Sequence, residues 1–511
     1  MSDWTEGYLT DVEYSHAYNK ELNPLVARLA FLVAGLSPPR FGTACELGFG
    51  QGLSINIHAA ASTTEWWGTD FNPTQVGFAR DLGAASGVDV KLFDEAFADF
   101  VHRPELPEFD FIGLHGIWSW VSPENQALIA DFIRRKLKVR GILYIGYNVP
   151  PGWASLGPIR HLMAEHAALA GATPGGRLGA LKGTLDFIDR FLATNPGFRR
   201  ANPLVVDRFN GIRNKDPHYL VHEYLNGHWR PSYFTDMVAA LAPARISFAC
   251  PASYIEHYDA INFTADQWAL LQSVPDSPFR QSLRDFMINQ QFRRDYWAKG
   301  AGRLTPLQQA EAVGTERVVL VSHRPKVELK VTSALGEAAL HAPIYAPVLD
   351  FLADHQPKTI GEIANALQPR NITFKQVIEA VMVLAGSGHL MPAHDDATIA
   401  RVRASTKRLN DGFLDRARSI GDLNVFASPV TGGAIAATRI VQNFLSAYRN
   451  GRTTPSELAQ FVWRQLDSQG QKLIKDAKTL ETAEENLAVL MPQATGFLDE
   501  QLPILKALQI E

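Results

Sequence analysis

Glu46, Gly48, Gly50 and Gly52 fall at alternate positions in the run ELGFGQG, and Asp70, followed by Phe71, comes some way downstream. Glycines let a backbone approach a ligand where any side chain would clash. An acidic residue about 20 positions beyond such a turn is placed to accept hydrogen bonds from two ribose hydroxyls. A dinucleotide site would show G-x-G-x-x-G and a bare helix N-terminus for its pyrophosphate. Here Glu46 precedes the glycines; a carboxylate there repels phosphate and suits a ligand carrying an ammonium and a sulfonium. Three further stretches are dense in polar and aromatic groups. They are His115 to Val121 (HGIWSWV), Tyr147 to Trp153 (YNVPPGW) and His222 to Pro231 (HEYLNGHWRP). Trp118, Trp120 and Trp153 are either core anchors or the walls of an aromatic channel for an amine.

The elements that must hold these residues alternate between strand and helix. Thr43 onward reads as a buried strand, Leu53 to Ala61 as a helix, and Trp66 to Thr69 as a second strand ending at Asp70. A helix over Thr74 to Ala85, a third strand over Val88 to Phe93 and a fourth over Phe109 to Leu114 follow. A helix over Gln126 to Lys138 and a fifth strand over Gly141 to Tyr147 complete the pattern of a parallel sheet. Ligands in open sheets of this kind bind beyond the carboxyl ends of the strands. Residues 154 to 216 break the alternation and read as a helical insertion, with a basic tract from Arg199 to Lys215. A helix over Tyr233 to Leu241 and a strand over Arg245 to Ala249 come next. Glu316 to Ser322 (ERVVLVS) is predicted as the last, antiparallel strand, and residues 262 to 310 as a second helical insertion.

At 511 residues, with a formal net charge of −4, the chain is long enough for several domains and too acidic for a nucleic-acid coat or a polybasic membrane anchor. Its two cysteines, Cys45 and Cys250, lie in apolar runs and read as buried free thiols, not as a disulfide or a zinc site. The start of the chain is acidic, with Tyr8, Tyr14 and Tyr18 ahead of an apolar helix over Pro24 to Leu36, and does not read as a signal peptide. These tyrosines either edge the sheet or form a lid over the ligand. No stretch has the length of a membrane span, and the cytoplasm is the expected compartment. Beyond residue 340, helices over Ala346 to Asp354, Thr359 to Leu367 and Thr373 to Ser387 precede a strand at Leu390 to Pro392. This is a winged-helix-like pattern. Its third helix offers only Lys375, so a protein contact is expected rather than DNA.

The pattern Glu46-x-Gly48-x-Gly50-x-Gly52 resembles the first motif of class I S-adenosylmethionine-dependent methyltransferases. Together with Asp70, Asp94, the three aromatic loops and NQQFRRD (Asn289 to Asp295), the chain is similar to bacterial class I methyltransferases that carry a methyltransferase regulatory domain. That family includes the rickettsial outer-membrane-protein lysine methyltransferases. The resemblance covers the chain to about residue 325 and extends beyond that only in general layout. It implies a Rossmann-like seven-stranded methyltransferase sheet with helical insertions, then a winged-helix-like module and a helical C-terminal module. The expected divisions are 1–165 for the cofactor-binding core, 166–216 for an insertion that could dimerise, 217–325 for the rest of the sheet with the regulatory insertion, 340–400 and 401–511.

S-adenosylmethionine is the cofactor implied, with S-adenosylhomocysteine as its product. Asp94, Glu95 and Ala96 would hold the adenine amine, with Phe97 against its ring, and His115 would face the methyl donor. The alternative for Asp94 is a helix N-cap. The acceptor implied is a lysine of a protein or peptide. An Asn/Asp-Pro-Pro-aromatic signature, common after the fourth strand of amino methyltransferases, is replaced there by HGIWSWV, and Asn-Val-Pro-Pro stands after the fifth. A small-molecule or peptide natural-product acceptor, or a non-catalytic cofactor-binding scaffold, therefore stay open.

Methyl transfer from a sulfonium is an in-line displacement that needs a deprotonated nucleophile held about 3 Å from the methyl. A dry aromatic pocket favours a neutral amine and draws in the ammonium by cation–π attraction. Tyr147, Trp120, Trp153 and Tyr224 are the candidates for that pocket, with Trp118 and His222 beside the substrate. Asn148 would orient the amine, and Glu223 or His222 would take its proton.

Overall fold

The computed structural model describes residues 12, 16–170, 176–476 and 478–511. Tyr8 and Tyr14, two of the tyrosines expected to edge or cover the site, lie outside these residues. The central sheet has seven strands. These are β1 (Thr43–Leu47), β2 (Glu65–Asp70), β3 (Lys91–Asp94), β4 (Phe109–Leu114), β5 (Leu137–Asn148), β6 (Ser247–Pro251) and β7 (Phe292–Ala298). They lie in the order β3-β2-β1-β4-β5-β7-β6. The first five are parallel, and β7 runs antiparallel to both of its neighbours. The order reverses between β1 and β4, which opens a crevice above the carboxyl ends of those two strands.

Period-two alternation sorts the strand residues between two cores. Ala44, Phe111, Ile142, Tyr144 and Tyr296 face helix α1 (Pro24–Val33). Cys45, Ile112, Leu143, Ile145, Tyr147 and Trp297 face the helices Pro123–Lys136 and Phe234–Leu241. Both cysteines are buried thiols. Helix α2 (Leu53–Ala61) follows β1, and helix α3 (Pro73–Ser86) follows β2.

The antiparallel strand is β7, not the expected ERVVLVS segment. Arg317–Leu320 instead pairs with Lys358–Thr359 and Leu390–Ala393 in a separate three-stranded sheet. That sheet packs with helices Ala342–Phe351, Ile360–Leu367 and Phe374–Gly386. Both segments have the apolar content a strand needs. What hid β7 is its outer face, where Arg293 and Asp295 look like surface residues. In the fold they are buried and paired: Arg293 Nε donates to Asp295 Oδ2 at 2.8 Å and Nη1 to Asp285 Oδ1 at 2.7 Å.

The last quarter of the chain is mainly helical, built on Asp396–Ala417, Arg439–Arg449, Pro455–Asp467 and Ala483–Gly496. It does not stand apart. Leu409, Phe413 and Leu423 share one apolar cluster with Leu53, Ile57 and Ala60 of α2 and Leu82 of α3. Ser405 Oγ donates to the carbonyl of Ala60 at 2.6 Å, and Arg408 Nε to that of Ser86 at 2.8 Å. Helix α2 is consequently buried on every side, all nine of its residues included. Among the described residues no helix is long and apolar enough to cross a membrane.

Candidate active site

A cavity of about 580 Å³ opens above the carboxyl ends of β1, β2, β4 and β5. Its floor is the turn that leaves β1. Gly50 has φ +57°, and a Cβ there would point into open space, with only the Gln75 side chain 4.0 Å away. That opening is where a ligand can lie against the main chain. Asp70 is buried beneath the turn; its Oδ2 accepts from Gly50 N–H at 2.8 Å and its Oδ1 from Asn72 N–H at 3.0 Å. Each oxygen keeps a lone pair for one ribose hydroxyl. Burial pushes the Asp70 carboxyl up to about 6, against the pull of those two N–H groups. Glu46 is deeper. Burial, with Asp70 beside it, raises its pKa to about 8, and its Oε2 has no hydrogen-bond partner. An unpaired buried acceptor in a cavity wall calls for a donor or a cation from the ligand.

Most of the residues expected to hold a cofactor line this cavity: Glu46, Gly48, Gly50, Gly52, Asp70, Phe71, Glu95, Ala96 and His115, with Phe97 beside them. Asp94 does not. It is level with Asp70 in the β2–β3 register and exposed, while the main chain just after it turns into the wall. There Glu95 N–H donates to Asp70 O at 3.1 Å, and the Glu95 carboxylate is ion-paired with Arg103. Ala17 and Asn19, from the segment before α1, close one side of the cavity. Tyr18, between them, turns away and meets His58 of α2, at 3.0 Å between the hydroxyl and Nε2.

At the other end Trp120, Asn148, Trp153, His222 and Glu223 line the wall, along with Tyr219, Lys215 and His228. The Asn148 amide is oriented. Trp153 Nε1–H donates to Oδ1 at 3.1 Å, and since indole N–H can only donate, the oxygen is on that side. The Asn148 main chain is held too: its N–H donates to Ser119 Oγ at 2.9 Å, and its carbonyl accepts from Ser232 N–H at 2.9 Å. The first two aromatic stretches therefore meet at this residue, and the chain just past the third joins them. Arg160 fixes the third of them. Its guanidinium lies over Trp229, donates from Nε to the carbonyl of Glu223 at 2.9 Å, and donates from Nη2 to that of Asn226 at 2.7 Å. The Glu223 carboxyl is thus carried on a fixed backbone. Burial raises its pKa to about 7, with Arg160 and Lys215 pulling it down. His222 commits Nε2–H to the carbonyl of Val12 at 2.9 Å.

Besides Asp94, three expected residues lie outside the cavity wall. Tyr147 precedes Asn148 on β5, so alternation turns it to the opposite face, among Ile145, Val149 and Trp297. Its hydroxyl donates to Asp295 Oδ2 at 2.8 Å. Trp118 is buried in the same core. Tyr224 is one residue past Glu223 on the helix Pro217–Leu225 and packs into the inserted helices against Trp153, at 6.0 Å between ring centroids. Sequence reasoning missed Gln75, Lys215, Tyr219, Gln291, Phe292 and Arg294. The last three belong to NQQFRRD, a run whose polar and aromatic density was visible but whose place in the sheet was not.

The strand order with its one antiparallel strand, the glycine turn after β1 and the carboxylate closing β2 define the class I S-adenosylmethionine-dependent methyltransferase fold. The chain belongs to the same family as the uncharacterized protein sll1526 of Synechocystis, with which it is 34% identical over 512 residues, 99% of each chain. Residues 216–299 match the family model described as a predicted methyltransferase regulatory domain. A second relative, the uncharacterized protein RP028 of Rickettsia prowazekii, is 29% identical over 233 residues, 44% of this chain and 88% of that one. The fold is shared with PKMT2 from Rickettsia typhi, whose structure was solved in complex with AdoHcy. That similarity has a TM-score of 0.70 at 18% identity and covers 97% of this chain and 100% of the other. The matched residues 216–299 include β6 and β7, the last two strands of the central sheet in chain order.

Proposed function

We propose that this chain transfers a methyl group from S-adenosylmethionine to the amine of a protein lysine. The observation that carries the reading is one continuous cavity whose one end offers Asp70, Glu46 and the glycine turn, and whose other end offers Trp120, Trp153, Asn148 and Glu223. The residues at the first end fit the cofactor. Asp70 would take the ribose hydroxyls, the main chain at Glu95 and Ala96 the adenine edge, and Glu46 the ammonium. When bound, the cofactor supplies an electrophilic methyl on a positively charged sulfur. The residues at the second end fit an amine on a long stem. Lys215 is exposed and Glu223 is half-buried in the same wall, which suits an extended, narrow acceptor reaching in from the surface.

Trp120 and Trp153 exclude water and draw in the ammonium. Asn148 holds it by the remaining lone pair of its fixed Oδ1. Glu223, ionised above about pH 7, accepts the proton that must leave before the nitrogen can attack.

Label transfer tests this. The purified chain is incubated with methyl-labelled S-adenosylmethionine and a lysate divided into protein and small-molecule fractions, with Asp70→Ala as control. Label on lysines of protein bands, lost with Asp70→Ala, is the expected result. Label confined to small molecules would overturn the protein acceptor, and the absence of cofactor binding would overturn the whole reading.

A further inference from the structure

Two buried polar atoms in the wall of the same cavity lack hydrogen-bond partners and are complementary: Glu46 Oε2 is an acceptor, and Arg294 Nε is a donor. Arg294 comes from β7, opposite Gly146 of β5. The absent side chain at Gly146 leaves room there for the Phe292 ring, which approaches where a Cβ would stand. That ring and the Arg294 guanidinium lie together, 5.2 Å apart. Arg294 is ion-paired with Glu21, 3.6 Å from Nε to Oε1, a separation too long for a direct hydrogen bond, so its donors stay available to a ligand. His115 lines the same cavity, and its Nδ1 meets the Tyr144 hydroxyl at 2.7 Å. Burial holds this imidazole down to about 4, so it is neutral and does not compete for an anion. The other extended cation in the wall, Lys215, lies with Tyr219 and Glu223 at the acceptor end.

We propose that Arg294 binds the α-carboxylate of the cofactor's amino-acid tail while Glu46 binds its α-ammonium, so that the pair clamps a zwitterion. This rests on the cofactor reading above and adds a binding residue contributed by the regulatory domain, within residues 216–299. The strand that closes the sheet then also completes the cofactor site.

Calorimetric titration of the full chain with S-adenosylhomocysteine and with 5′-methylthioadenosine, which lacks the amino-acid tail, tests the assignment. The unaltered chain is expected to prefer S-adenosylhomocysteine. Arg294→Met is expected to lose about ten- to a hundredfold in affinity for it, the range of a hydrogen bond to a charged group, and to bind methylthioadenosine as before. Arg294→Lys should fall between the two. An unchanged affinity for S-adenosylhomocysteine in Arg294→Met, or an equal loss for both ligands, would overturn the clamp. If Arg294→Met fails to fold, the unaltered chain is compared on S-adenosylhomocysteine and its decarboxylated analogue; equal affinities would overturn it there. A chain that binds methylthioadenosine without preferring the tailed ligand loses this proposal alone. One that binds none of these ligands loses the cofactor reading as well.

Discussion

Glu223 and Glu46 are both carboxyls raised by burial, and they do opposite things. Glu223 titrates at about 7, so its ionised form appears as the pH rises through neutrality. Turnover is therefore expected to climb through about pH 7 in the unaltered enzyme. Glu223→Gln is expected to lower kcat by about 10²–10⁴, the range for a general base, and to flatten that limb. A variant that kept both kcat and the limb would remove Glu223 from the mechanism. Glu46 titrates at about 8, well above the ordinary carboxyl range. A group whose folded pKa is raised stabilises fully below its unfolded pKa, and that stability is lost as the pH rises through the folded value. Between about pH 4.5 and 8 the empty protein should therefore lose stability at this residue. Glu46→Gln is expected to raise Tm at pH 8, to leave it little changed at pH 4.5, and to weaken cofactor binding. Thermal scans of the two proteins across that range check the sign; a lower Tm for the variant at pH 8 would refute it.

At the scale of elements, the loop after β5 is pinned to the residues that lead into β7. Gly152 N–H donates to Gln290 O at 2.7 Å, and a Cβ at Gly152 would lie 2.3 Å from Gln291 Cα and 2.5 Å from Gln290 C. Both neighbours are main chain and cannot step aside. Gly152→Ala is expected to cost about 1–3 kcal/mol by overpacking and to lower activity by displacing Asn148 and Trp153; urea melts and kcat measured together would show it. On the other face of β7, Arg293 is buried between Asp285 and Asp295, and Asp295 in turn accepts from Tyr147. Arg293→Met leaves two buried carboxylates without their cation and should cost about 3–5 kcal/mol. Tyr147→Phe removes one hydrogen bond and should cost about 1 kcal/mol. A similar loss in the two variants would show that the network is not acting as described.

These elements also show what could be read in advance. The cofactor end was legible because its parts are close in sequence: a turn, a helix and the next strand carry Glu46, Gly50 and Asp70, and spacing alone relates them. The acceptor end was half legible. Asn148 and Trp153 stood out by type, but which of Tyr147 and Asn148 faces the cavity depends on strand phase, and the preceding residues of β5 are apolar on both faces and do not reveal it. β7 was illegible because ion pairs that balance one another inside the fold look, in a string of letters, like a solvated surface.

For the whole molecule, the helical C-terminal quarter is the other wall of α2. Removing residues 396–511 would strip Leu53, Ile57 and Leu82 of their covering side chains. The shortened chain is expected to be insoluble or to lose binding of S-adenosylhomocysteine. Within the intact chain, Leu409→Ala and Phe413→Ala should each cost about 2–5 kcal/mol by opening a cavity against α2, with cofactor affinity falling alongside stability. A truncated chain that folded and bound the ligand normally would show that α2 needs no cover.

The burial of α2 has a bearing on descent. Gene fusion builds many enzymes by joining a catalytic cassette to a new appendage, and such joins are tolerated when the seam is polar and either side can fold alone. Here the helix that follows the glycine turn has no watered side left, with His58 at its centre stacked on Trp66 and touching Tyr18. A lineage carrying this seam cannot exchange its last hundred residues freely. Substitutions on α2 and on Asp396–Ala417 are therefore expected to arrive as matched changes.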